Sequence, residues 1–145
     1  MSWIAFTAAM VTERLNSAEV TAMRPLGNDP LPDIVSQVVR EVRSRVSAFP
    51  SNQVGPAGTI PDELLGAAVA RARFELLCVL PVSSLLTEGR KLANENARKD
   101  LEAAAAGRLR VEQPATAGSD VIPASGFISL ASNRPPVRGH NLRGL

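Results

Sequence analysis

Residues 60–80 read IPDELLGAAVARARFELLCVL. Proline in an opening turn costs no hydrogen bond, and the following Asp62 and Glu63 complement the positive end of a helix dipole. Leu64, Leu65, Ala68, Val69, Ala72, Leu76 and Leu80 then recur at i, i+4 and i+8 spacing. The spacing predicts one helix over 60–80. Its end, 76–80, is apolar nearly all round, so it is expected to be the central buried helix, with Cys78 acting there as a small hydrophobe.

Working outward, proline- and glycine-rich breaks at 25–32, at 50–58 and after Gln113 separate this stretch from its neighbours. Over 33–49, Ile34, Val35, Val38, Val39, Val42, Val46 and Phe49 fall on one stripe, with Arg40, Glu41, Arg43, Ser44 and Arg45 opposite. Five valines favour a strand by propensity, but a spacing of three to four over 17 residues favours a helix held by packing. Residues 7–24 carry Thr7 as an N-cap, and Asn16-Ser17 followed by Glu19 reads as a stop and a second cap. Two short helices are expected there rather than one.

A fourth helix is expected over 88–106, closed by Gly107. It carries four acids and four bases, with only Leu92 and Leu101 as large apolar side chains. Such a helix is expected to lie on the surface or to face another subunit. The paired openings Leu31-Pro32-Asp33 and Ile60-Pro61-Asp62 are generic helix starts and make no repeat.

The whole chain has 145 residues, 45% of them hydrophobic but only 3% aromatic, which fits one domain with an aliphatic core. A single cysteine and a single histidine exclude a disulfide framework and the usual zinc sets. The net charge of +2 is a weak excess for phosphate binding. No run of 18 apolar residues and no basic leader is present, so no membrane span or signal peptide is expected, and a reduced intracellular compartment fits best.

The arm over 113–145 differs from the helical domain over 1–112. Twelve of its 33 residues are Gly, Pro or Ser, its only acid is Asp120, and its bases are Arg134, Arg138 and Arg143. That composition builds no core of its own. Yet it holds the apolar knots Val121-Ile122 and Phe127-Ile128-Ser129-Leu130. These fit extended segments that add to a sheet edge or lie in a groove, including one on a partner chain. The expected fold is therefore mainly α: a bundle of four to five helices with an extended C-terminal arm able to add short strands.

Little catalytic chemistry is visible. His140 sits in a polar tail, the Asp62-Glu63 pair is explained by the helix dipole, and Gly55-Pro56-Ala57-Gly58 matches no phosphate-loop pattern. Arg40 and Arg43, with Arg45 a little round the cylinder, read first as a solvated face. They also found a rival reading, a small basic helical nucleic-acid-binding module in which the arm arginines join them. Trp3 reads as an anchor holding the N-terminus to the bundle. A weaker third reading is an enzyme accessory subunit.

The layout resembles the small head–tail connector, or head-completion, proteins of tailed bacteriophages, especially the Mu-like family and its adaptor relatives. An N-terminal helix pair, a short helix and a Pro/Gly loop lead to IPDELLGAAVARARFELL (60–77) and then ENARKDLEAAAAGRLRVE (95–112). Pro61, Leu64, Ala68 and Leu76 correspond approximately to the family's P-x-x-L-x-x-A-x-x-x-x-A-x-x-x-L. Ala97, Leu101, Ala105 and Gly107 match A-x-x-x-L-x-x-x-A-x-G, and RGHNLRGL resembles the family's arginine- and leucine-containing ending.

The resemblance covers about residues 3–111. It implies a structural virion protein made in the host bacterial cytoplasm and placed in the head–tail neck. Copies would form a ring, expected to be dodecameric, that docks on the portal protein and receives a downstream neck or tail protein. DNA would pass through the channel without sequence-specific contact. No catalysis, cofactor, metal or membrane is implied. The residues expected at partner or subunit contacts are Trp3, Val121, Ile122, Phe127, Ile128, Leu130, Arg134, Arg138, Arg143 and Leu145.

Overall fold

The helix read from residues 60–80 starts later than its spacing predicts. In the computed structural model, which describes residues 3–115, Ile60 and Pro61 are extended. A residue before proline is pushed out of the helical region, and Pro61 itself sits at φ −63°, ψ 138°. Thr59–Pro61 forms a short strand, β2, and Asp62–Leu64 makes one 3-10 turn before the helix proper at Leu65–Val79. Beta pairing was not expected in this part of the chain. The partner is β1, Trp3–Ala5, antiparallel with Trp3 opposite Pro61, Ile4 opposite Ile60 and Ala5 opposite Thr59.

Five helices follow from the local signals. Helix α1 spans Ala8–Thr12 and α2 spans Ser17–Met23, the split expected at Asn16. Asn16 Oδ1 accepts from the Glu19 N–H at 2.9 Å, and the Asn16 N–H donates to Glu19 Oε2 at 2.9 Å. This reciprocal box satisfies two amides that a helix start leaves without partners. Helix α3 spans Leu31–Ser47, two residues earlier at each end than the spacing predicts. Pro32 is accommodated in its first turn, and Asp29 Oδ1 accepts from the Leu31 N–H at 3.0 Å. At the other end Asn52 Nδ2 donates to the Val46 carbonyl at 3.1 Å, and Phe49 leaves the helix.

Leu65–Val79 is α4 and Glu88–Ala105 is α5. The core packs α4 against α3, α5 and α1. Leu31, Val38, Val42 and Val46 of α3 meet Ala68, Ala72 and Leu76 of α4, all fully or almost fully buried. The valines of α3 are weak helix formers, and burial of their branched side chains is what holds them helical.

Two expectations need correction here. Helix α5 is not set apart from the core: Asn94, Ala97, Leu101 and Ala104 are buried, and α5 packs closely on α4. Alanine on both helices admits a near approach of the backbones, so few large side chains are needed. Leu92 stays outside, 57% exposed. Cys78 is exposed rather than buried. The inward positions of α4 step through 68, 72, 76 and 80, which places residue 78 about 200° round the helix from its neighbours 76 and 80. An apolar end does not bury itself on the side where no element packs, and Val79 is exposed beside it.

Helix α5 ends at Gly107, as expected. Its φ is +74°, and the Arg108 and Leu109 amides turn back to the Ala103 carbonyl at 2.8 and 3.1 Å. A Cβ at this position would also overlap the Phe49 ring. Both strain and overlap act against any side chain. Gly107→Ala is therefore expected to lower stability by about 2 kcal/mol or more, read as a fall in the denaturant midpoint at constant slope.

Candidate functional site

Glu19 is the most deeply buried charge of the described chain, 1% exposed. It lies in the first turn of α2, and the capping box turns its carboxylate inward. Arg73 of α4 approaches it with Nη2 at 2.7 Å from Oε2 and Nε at 3.2 Å from both oxygens. Arg90 of α5 donates from Nε to Oε1 at 3.0 Å. One carboxylate thus ties together three helices. Burial pushes the Glu19 carboxyl up, but the Arg73 hydrogen bond, the capping bond, the Arg73 charge and the Arg90 hydrogen bond outweigh it. Its pKa is held below the ordinary 4.5. Such a group stays ionised and is a poor proton acceptor.

A second ion cluster joins α3, α4 and α5. Arg71 donates to Glu41 at 3.1 and 3.2 Å, to Glu75 at 2.9 Å and to Asn94 Oδ1 at 2.6 Å. Asn94 is buried, and this bond satisfies its carbonyl. No buried side-chain nitrogen or oxygen lacks a partner among the described residues.

Arg43 requires a correction. Read as part of a solvated arginine face, it is 7% exposed. It stands at the edge of the α3 apolar stripe, one residue past Val42 and three before Val46. Its Nη1 donates to the Pro56 and Thr59 carbonyls at 2.8 Å each, and its Nη2 to the Gly55 carbonyl at 3.0 Å. The guanidinium carbon lies 5.7 Å from the Trp3 ring centroid. Arg40 and Arg45 do remain exposed.

Trp3 is 8% exposed and acts as the expected anchor. Its ring presses on Gly55, where any Cβ would overlap it, and its Nε1–H donates to the Glu112 carbonyl at 2.9 Å. That burial removes Trp3 from the residues a partner can reach. The other expected contact residues, Val121, Ile122, Phe127, Ile128, Leu130, Arg134, Arg138, Arg143 and Leu145, lie outside the described residues.

The root of the arm is nevertheless well held. Val111 is buried, the Glu112 N–H donates to Glu63 Oε1 at 3.2 Å, and Gln113 Oε1 accepts from the Gln53 N–H at 2.7 Å. Gln113 Nε2 also donates to Asn52 Oδ1 at 3.2 Å. The sequence marks Glu63 only as a dipole-complementing acid, and nothing in it signals the role at the arm. For Glu19 the sequence signals the cap through Asn16-x-x-Glu19, but not the two arginines, which are 54 and 71 residues away. The Arg71–Glu75 pair is at the i, i+4 spacing that a sequence can reveal.

Beside the Glu19 cluster runs a groove of about 470 Å³ between α1, α4 and α5. Leu65, Val69, Ala70 and Ala93 give it an apolar floor, with Glu13 and Arg14 on its rim and Arg73 and Arg90 at its Glu19 side. Among the described residues no group of three or more His, Cys, Asp or Glu is placed to hold a metal ion. No described helix is long and apolar enough to cross a membrane.

Comparison of the chain with protein-family models, with curated proteins and with solved structures finds no match.

The Glu19 cluster sets a stability prediction. Glu19→Gln keeps a side chain that can reach the Asn16 N–H but leaves two guanidiniums without their counter-charge. It is expected to cost about 3 kcal/mol in denaturant unfolding. Because the folded pKa is lowered, the stabilisation is full above the ordinary carboxylate range and is lost as pH falls through the lower folded value. The native chain should therefore weaken below about pH 4.5, and the variant should lose less over the same interval.

Proposed function

We propose that this chain is a structural assembly protein, a head-to-tail adaptor whose copies form a ring on a phage portal and link it to the neck or tail. The observation that carries this reading is the fixed root of the arm. Trp3, Glu63, Asn52 and Gln53 together hold Glu112 and Gln113 against the body, so the arm leaves from a defined point. An arm that joins subunits needs such a root, because slack at its base would lower the effective concentration of its far end.

Charge supports the same reading. Residues 3–115 carry 13 bases and 13 acids, so the body is neutral and the chain's whole positive excess lies in residues 116–145. A neutral body with its polar groups satisfied suits a building block, and an arm with apolar knots and arginines suits contact with acids on the portal or on adjacent subunits. The arrangement calls for no catalysis and no cofactor. The rival nucleic-acid reading loses Arg43, which is committed to carbonyls and to Trp3.

The test is the native mass of the full chain, alone and mixed with purified portal rings, followed by imaging of any annular particle. The expected product is a ring of the 15.3 kDa chain, dodecameric, alone or on the portal. A chain that stays monomeric in both mixtures would overturn the reading. So would a monomer retained on DNA with a steep salt dependence, which is the signature of phosphate neutralisation.

A further inference from the structure

The groove between α1, α4 and α5 carries an unbalanced charge at its inner side. Arg73 and Arg90 both line it and both pair with the one carboxylate of Glu19, so two guanidiniums face a single anion. Glu13 and Arg14 on the rim cancel each other and leave that excess in place. Arg73 is 18% exposed and Arg90 29%, so water screens the excess less than it would on an open surface. Arg73 uses Nε and Nη2 on Glu19, and Arg90 uses Nε. Arg73 Nη1 and both Nη atoms of Arg90 make no hydrogen bond among the described residues. No buried side-chain nitrogen there lacks a partner, so these donors reach solvent.

Helix α4 leads an apolar floor up to those donors. Gly66, Val69, Ala70 and Arg73 stand at i, i+3, i+4 and i+7, one face of the helix, and all four line the groove. A Cβ built on Gly66 meets nothing within 4 Å, so no close approach of a neighbour calls for glycine there. What its missing side chain does is leave the far end of the floor open. From Gly66 to Arg73 the helix rises about 10 Å. A straight chain of about eight to ten carbons, advancing about 1.3 Å per bond, spans that distance. The volume of about 470 Å³ is that of a small-molecule site.

We propose that this groove binds an amphipathic monocarboxylate, with its aliphatic body on Gly66, Val69 and Ala70 and its carboxylate on the unused Nη donors of Arg73 and Arg90. Two carboxylates then alternate with two guanidiniums, and the excess charge is neutralised by charge-assisted hydrogen bonds. A neutral alcohol of the same length leaves the charge unmet, and a short anion leaves the floor uncovered. The inference stands on the groove alone and does not rest on the ring reading.

Calorimetric titration of the full chain with decanoate tests it, with 1-decanol and acetate as comparisons, all below the concentration at which decanoate forms micelles. The expected result is saturable binding of one decanoate per chain, at least about tenfold tighter than 1-decanol or acetate. Gly66→Leu places a side chain where the aliphatic body lies and leaves the Glu19 cluster untouched. It should weaken decanoate at least about tenfold while helical circular dichroism is unchanged. Arg90→Gln, which leaves Glu19 paired with Arg73, should weaken decanoate about tenfold and 1-decanol hardly at all. Absent or non-saturable binding of decanoate would overturn the proposal, as would equal affinity for 1-decanol or binding that Gly66→Leu does not change. So would a chain that self-associates on concentration and is made monomeric by Gly66→Leu, since a second copy would then fill the groove. Decanoate binding by a chain that never forms rings leaves this inference standing and removes only the adaptor reading.

Discussion

One guanidinium, that of Arg43, closes the loop between α3 and β2. Residues 48–58 contain Pro50, Gly55, Pro56 and Gly58, and this loop must cross from α3 to β2 without a ladder of its own. Arg43 supplies what the loop lacks, donating to the carbonyls of Gly55, Pro56 and Thr59 from a single planar fork. Lysine, a point donor on a flexible stem, has no such geometry. The fork lies near the Trp3 ring, Trp3 presses on Gly55, and Trp3 Nε1 holds Glu112. The N-terminal strand, the central loop, β2 and the exit from α5 are therefore closed by one set of contacts, and the course of each is fixed by the others.

Glu19 is the electrical counterpart at the other end of α4: an anion among arginines where Arg43 is a cation among carbonyls. Helix α2 has only seven residues, too few to be stable by itself, and α5 is largely polar. Apolar burial holds α3 on α4. The carboxylate of Glu19 adds the tie from α2 to both α4 and α5, and Arg71 ties α4 to α3 and α5. Breaking such a node leaves an uncompensated charge behind, which makes it more sensitive to substitution than its Coulomb attraction alone would suggest.

What was legible in the sequence was local. The Asn16-x-x-Glu19 box split α1 from α2, the valine stripe gave α3, and Gly107 ended α5. The late start of α4 was also written locally, in the effect of Pro61 on Ile60, but the helical spacing of the following leucines masked it. What was not legible depends on residues distant along the chain. Whether Arg43 faces water or a loop is decided by carbonyls 12 to 16 residues on, and whether α5 packs is decided by alanines on α4. A helical wheel gives the angle of a side chain but not what stands opposite it. Cys78 shows the converse, since an apolar run implied burial on a side where no element packs.

The proposed adaptor role rests on the contrast between a neutral, internally satisfied body and the arm that follows Gln113. The contrast has meaning only if the clasp around Trp3 is intact, because the clasp fixes the arm's root. Trp3 is the only tryptophan and the chain has no tyrosine, so its emission reports on this contact alone. The most direct measurement follows Trp3 fluorescence and helical circular dichroism through one denaturant titration of the full chain. The account predicts a blue-shifted native emission shielded from iodide, and a Trp3 transition that coincides with loss of helix. A water-like emission in the native protein, or a Trp3 transition completed while the helices persist, would contradict it.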